Sequence, residues 1–155
     1  MDTSLVFGII FASIVIGLLL FFGIRYIGDM SEIACKSQMG QQITTLENTV
    51  KATLSLSRGA SQELRLLVPQ CFKKICFVDP DHPEENRQEG WEPDTIATRM
   101  VVGEGDNVII YHPDGVVEGK KISKLKPYVN FCIASSTDVI IRNVGALVEV
   151  TLPGF

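Results

Sequence analysis

Hydrophobic and polar positions divide this chain into three stretches with different periods. From Thr3 to Ile24 there is neither a period nor a charge over 22 residues. As a helix this run would be about 33 Å long, against a bilayer hydrocarbon core of about 30 Å. A helix apolar on every face is surrounded by protein or by lipid. No later segment is apolar enough to surround it, so the pattern predicts a membrane span, in contact with the lipid bilayer through residues 4–26. The opening Met1-Asp2-Thr3-Ser4 has no base, and no small-x-small cleavage site follows the run. An uncleaved anchor is therefore expected rather than a signal peptide. Arg25 and Tyr26 follow the span and suit the membrane boundary, as a snorkelling cation and an interfacial aromatic.

The second stretch has a helical period. From Ile27 to Ser57 there is no proline, and Met39, Ile43, Leu46, Val50 and Leu54 (or Thr53) recur at spacings of three or four. That spacing is one apolar stripe on an amphipathic helix. The helix is expected to continue out of the membrane and pack its stripe on the domain that follows. Ser57-Arg58-Gly59-Ala60-Ser61 ends it by composition.

Beyond Gly59 the period changes to that of strands. Leu64, Leu66 and Val68 alternate, and Ile75–Val78, Asn107–Tyr111, Tyr128–Ala134, Asp138–Arg142 and Ala146–Leu152 read as five more strands. Val116-Val117 and Lys120–Ser123 suggest a short extra hairpin, and Gly103–Asn107 reads as a hairpin turn. The fold class expected is α+β: an N-terminal transmembrane helix continuing into an amphipathic helix, then a small antiparallel β-sandwich-like domain. The boundaries are 1–27 for the anchor, 28–58 for the stalk helix and 59–155 for the β-rich domain.

Composition adds little to this until it is placed along the chain. The net charge of -4 in 155 residues removes a strongly basic nucleic-acid binder. Residues 79–95 hold seven acids and three prolines, with Arg87 as the one base, and read as an acidic surface loop. They lack the glycine and ligand order of a calcium-binding loop, so no metal is expected. Trp91 sits in this loop, either as a peg onto the domain, the favoured reading, or as an exposed contact. Lys120, Lys121, Lys124 and Lys126 form the one basic cluster, read first as a solvated hairpin edge that blocks strand pairing, with anionic lipid or the acidic loop of a neighbour as surfaces it could meet. Trp91, Lys120, Lys121 and Lys124 are the interaction candidates.

The cysteines are the remaining chemistry. Cys76 and Cys132 lie in matching apolar contexts, Ile-Cys-Phe-Val and Phe-Cys-Ile-Ala. A bridge between neighbouring strands there would close a 57-residue loop, worth about 4 kcal/mol by chain entropy. Cys35 and Cys71 could form a second bridge. Four cysteines permit three pairings, and four reduced buried thiols are the alternative state. No Cys-x-x-Cys, Gly-x-Ser-x-Gly, His-Glu-x-x-His or phosphate loop occurs. His82 and His112 each stand beside a proline in loop-like contexts. No catalytic residue and no cofactor is expected, and the chain is not read as an enzyme.

One apolar helix continuing as an amphipathic helix into a small β-domain resembles the type IV pilin-like layout, with archaeal pilins and archaellins as the nearest comparison. Ile75–Asp79 and Ile141–Val150 look like strands of such proteins. The resemblance implies an extracytoplasmic domain and a subunit that associates with its own copies in a filament or surface assembly. The basic residue that pilin precursors carry before the helix, and the acid near its start, are absent: Met1-Asp2-Thr3-Ser4 precedes the run and Leu5 begins it. Arg25 and Lys36 after the span would by the positive-inside rule hold the domain in the cytoplasm. Four cysteines in a small domain favour an oxidising compartment instead. The reading is a membrane-anchored, extracytoplasmic structural or interaction protein. The alternative is a cytoplasm-facing, membrane-tethered binding module with reduced cysteines.

Overall fold

The computed structural model describes residues 3–85, 91–92 and 94–154, without the side chains of residues 3–5 and 25–29. The boundary roles of Arg25 and Tyr26, and the charges of Arg87 and Glu89 in the acidic loop, lie outside what is described. The chain separates into two units, residues 1–36 and 37–155.

Helix α1 (Thr3–Leu54) begins in the first unit. Its segment Val6–Ile24 has a mean hydropathy of 2.7 and none of it is buried within the protein. Every large apolar side chain in that segment is exposed. The hydroxyl of Ser13 donates to the carbonyl of Ile9 at 2.8 Å, so this polar group is satisfied inside the helix. This is one helix long and apolar enough to cross a membrane.

The second unit opens with the rest of α1. Met39, Ile43, Leu46 and Val50 are buried, as the spacing predicts, and Thr53 rather than Leu54 completes the stripe. Thr53 takes that place because its hydroxyl has a partner there, donating to Gln62 Oε1 at 3.2 Å. Gln42 accepts a longer bond from the backbone N–H of Leu67 at 3.4 Å.

Eight strands follow: β1 (Ser61–Leu66), β2 (Lys74–Phe77), β3 (Val108–Tyr111), β4 (Val117–Lys120), β5 (Leu125–Pro127), β6 (Phe131–Ile133), β7 (Thr137–Asn143) and β8 (Val148–Thr151). They make two four-stranded sheets, ordered β1-β7-β8-β5 and β4-β3-β2-β6. The arrangement is compatible with a sandwich. All pairings are antiparallel except β5 with β8, which is parallel.

Three sequence expectations change. The run Tyr128–Ala134 is a strand only at Phe131–Ile133, and Leu125–Pro127, ahead of that run, is a further strand that the sequence did not suggest. Leu125–Pro127 pairs with β8 in one sheet, and Phe131–Ile133 pairs with β2 in the other. Asn130 lies between them, and its side chain binds the acidic loop, as described below. Gly103–Asn107 is not a hairpin turn. A short helix α2 (Thr95–Arg99), capped by the Asp94 carboxylate on Ala97 N–H at 2.7 Å, runs into a π-helical turn (Met100–Glu104). Gly105 ends that turn at φ 73°, a left-handed conformation glycine adopts without strain. Lys120–Ser123 adds no hairpin, because Lys120 ends β4 and the next residues form a loop.

All four residues of β3 are buried. The reason lies outside the sheet. Ile109 and Tyr111 share a cluster with Cys76, Val78, Trp91, Ala97 and Val101. Trp91, α2 and the π-helical turn therefore cover one face of β2 and β3. On the opposite face the rings of Phe77 and Phe131 stack with centroids 5.0 Å apart.

Candidate functional site

Three buried asparagines at strand ends arrange the surface of the β-domain. Asn107, before β3, accepts from the N–H of Ile122 at 2.8 Å and donates to the carbonyls of Ile122 and Leu125 at 2.8 and 2.7 Å. Asn130, before β6, accepts from the N–H of Asp79 at 2.7 Å and donates to the carbonyls of His82 and Glu85, both at 2.9 Å. Asn143, at the end of β7, donates to the carbonyls of Thr53, Leu54 and Leu56 where α1 ends. Buried amides must be hydrogen-bonded, and each of these satisfies itself by gripping a neighbouring loop or helix end. The sequence reading missed all three. The available signal was an asparagine flanking an apolar strand run, in Asp106-Asn107-Val108, Val129-Asn130-Phe131 and Arg142-Asn143-Val144.

The loops held by Asn107 and Asn130 border an open cleft of about 410 Å³. The π-helical turn and the 121–126 segment form much of its wall, with Val101, Val102, Ile122, Leu125 and Leu147 as apolar lining. Lys121, Lys124 and Lys126 line it together with Asp79 and Asp81. The acidic loop and basic edge, separate in the sequence, thus meet here. Lys126 Nζ lies 3.0 Å from Asp79 Oδ2 and 3.6 Å from Asp81 Oδ2. Burial works against charge on Asp79. The Lys126 ammonium, the N–H of Asp81 and His82 outweigh it and hold the carboxyl below its ordinary range. The hydrogen bond to Asp79 raises Lys126 in turn, more than burial lowers it. Asp106, buried behind Gly119, shifts the other way. Burial and then the charge of Glu104 raise its pKa, against the smaller opposing effects of Lys121 and Lys120.

The interaction candidates separate. Trp91 is 3% exposed and its indole N–H donates to the Pro83 carbonyl at 2.9 Å. It is a peg that fastens the loop, and the exposed-contact role is withdrawn. The residue is large, apolar and within reach of a carbonyl acceptor, which is how buried tryptophan is satisfied. Lys120, Lys121 and Lys124 are exposed. Lys120 lies on β4, an edge strand, where a lysine obstructs further strand pairing.

Cys76 and Cys132 face each other directly in the β2–β6 register, with Cα atoms 4.0 Å apart, and are disulfide-bonded. Cys35 and Cys71 are each in a disulfide, and no cysteine is free. Each histidine meets a carboxylate: His82 Nδ1 is 3.2 Å from Asp79, and His112 Nε2 is 3.1 Å from Glu118. No group of three or more His, Cys, Asp or Glu able to hold a metal occurs among the described residues. The Tyr111 hydroxyl is buried, with the Asp94 carboxylate beside it. Burial first, and the nearby Asp94 charge second, keep it protonated.

The chain matches no protein-family model, no curated protein and no solved structure.

Proposed function

We propose that this protein is a single-pass, membrane-anchored structural or interaction subunit whose β-domain works in an oxidising, extracytoplasmic compartment. The observation that carries this reading is the combination of a fully exposed apolar segment, Val6–Ile24, with a domain in which no thiol is free. Lipid satisfies the first, and disulfides persist outside the reducing cytoplasm. The pilin-like layout extends the reading. α1 is apolar at its start and packs Met39, Ile43, Leu46 and Val50 within the β-domain unit at its end. Met30 and Ile33, also exposed, continue the apolar surface beyond the span and would serve association between copies of the helix. Self-association through opposite charge patches is weaker support than the sequence suggested, because Lys126 already pairs with Asp79 and Asp81 in the same chain.

The test is labelling of intact cells with a membrane-impermeant thiol reagent. Labelling should be absent at first and appear after an impermeant reductant. Labelling only after permeabilisation, and without reduction, would establish the cytoplasm-facing alternative instead. Crosslinking in intact membranes tests assembly. Multimers that Met30→Glu and Ile33→Glu variants leave unchanged would remove the helix as the assembly surface.

A further inference from the structure

We propose that the cleft beside the π-helical turn is a binding site for a phosphate monoester bearing a compact apolar group, held by Lys121 and Lys124.

Four observations converge there. Its volume, about 410 Å³, falls in the range of small-molecule sites. Lys126 is committed to Asp79 and Asp81, which neutralise it. Lys121 and Lys124 line the same cleft with no ion pair among the described residues, although buried Asp106 acts on Lys121 at longer range. Lys124 has φ 67° and is the non-glycine residue in a left-handed conformation among those described. Glycine would occupy that position without the steric cost that a side chain incurs. Its carbonyl accepts from Val148 N–H at 2.8 Å, which holds the backbone there but does not call for an ammonium. Strained residues of this kind cluster at ligand sites. The cleft is also lined by a π-helical turn, a rare element that is concentrated at functional sites.

The chemistry of the ligand follows from the lining. Two unpaired ammonium groups match a compact dianion, and a phosphate monoester carries a charge of about -1.5 to -2 at neutral pH. Lysine binds phosphate as a point charge and needs no fork geometry. Val102 and half-buried Leu147 supply the apolar contact for the ester group, and Val102 is 62% exposed without a ligand to cover it. The phosphate could be that of a free ester or of a lipid headgroup.

Titration calorimetry on the full chain in neutral-lipid nanodiscs, with phenyl phosphate as the probe, tests the site. Phenyl phosphate should bind more tightly than inorganic phosphate or phenol. Lys121→Gln should weaken it about tenfold, the loss of one charge-assisted hydrogen bond. Lys124→Gly should weaken it similarly while leaving the unfolding midpoint unchanged or raised, because glycine relieves the backbone. Lys73→Gln, which removes an exposed charge outside the cleft, should have no effect. Nanodiscs containing phosphatidic acid distinguish the two sources. Loss of phenyl phosphate binding there identifies a headgroup site, and unchanged binding a site for the free ester. The proposal is overturned if the probe fails to bind at about 10 mM, a free energy near -3 kcal/mol. It is overturned equally if inorganic phosphate binds as well, or if Lys73→Gln costs as much as Lys121→Gln.

Discussion

The side-chain amide of Asn143 donates to the carbonyl of Leu56 at 2.8 Å, and the same nitrogen reaches the carbonyls of Thr53 and Leu54 at 3.1 and 3.2 Å. The last carbonyls of a helix lack partners within it, so one residue of β7 closes the C-terminus of α1. Its Oδ1 accepts from Gly145 N–H at 2.7 Å, which fixes the amide orientation. Asn143→Ala should therefore destabilise the domain by about 1–3 kcal/mol, through loss of the hydrogen bonds its amide makes to these carbonyls and to Gly145. Chemical denaturation checks this. Asn143→Asp should be at least as damaging, because it sets a carboxylate against those carbonyls. A loss below about 0.5 kcal/mol for both would mean that water replaces the amide.

Trp91 shares its cluster with Cys76, and Cys132 packs against that cluster. Disulfides quench tryptophan emission at short range, and Trp91 is the one tryptophan in the chain. Reduction should raise its fluorescence before any red shift of unfolding. Replacing both Cys76 and Cys132 by Ala should lower stability by about 4 kcal/mol, from the chain entropy of a loop with sequence separation 56. Emission unchanged on reduction would contradict this packing.

The Asp79–Lys126 pair has a defined pH window. The folded carboxyl of Asp79 titrates below its ordinary value, so its contribution is complete above the unfolded pKa and is lost as pH falls through the folded one. Lys126 titrates above its ordinary value, so its contribution is complete below the unfolded pKa and is lost as pH rises through the folded one. The stability advantage of the native protein over Asp79→Asn should therefore be flat near neutral pH and shrink at both extremes. Denaturant midpoints of the two proteins across pH measure it. An advantage that grows as acid is added would refute the pairing.

Leu46 is fully buried and Leu19 is 68% exposed, although both lie on α1. Leu46→Ala should cost the β-domain about 2–5 kcal/mol. Leu19→Ala should leave its denaturation curve in place. Ile14→Arg should leave the β-domain folded but impair membrane insertion, by about 3 kcal/mol on insertion scales. Fractionation with membranes reports the second effect and denaturation the first. Full membrane retention of the Ile14→Arg protein after carbonate extraction would count against the span.

What the sequence by itself determined is whatever depends on neighbours along the chain. The uncharged run to Ile24, the stripe from Met39 to Val50 and the apolar cores of β2, β3 and β7 are legible because helices and strands repeat every 3.6 and 2 residues. The matching contexts of Cys76 and Cys132 belong here too, since both marked buried strands. Tertiary structure decided what depends on distant residues. Asn143 meets Thr53 across 90 positions and Asn130 meets Asp79 across 51, so neither bond leaves a local trace. Leu125–Pro127 and Phe131–Ile133 are neighbours along the chain, yet their partners β8 and β2 lie in different sheets. Trp91 stands out in its loop as a candidate peg, whereas Lys124 is an ordinary loop residue by composition. One became a core peg and the other a strained lysine at a cleft. The difference is that Trp91 found an apolar bed and a carbonyl on which to close, whereas Lys124 keeps an exposed ammonium over a backbone held by Val148.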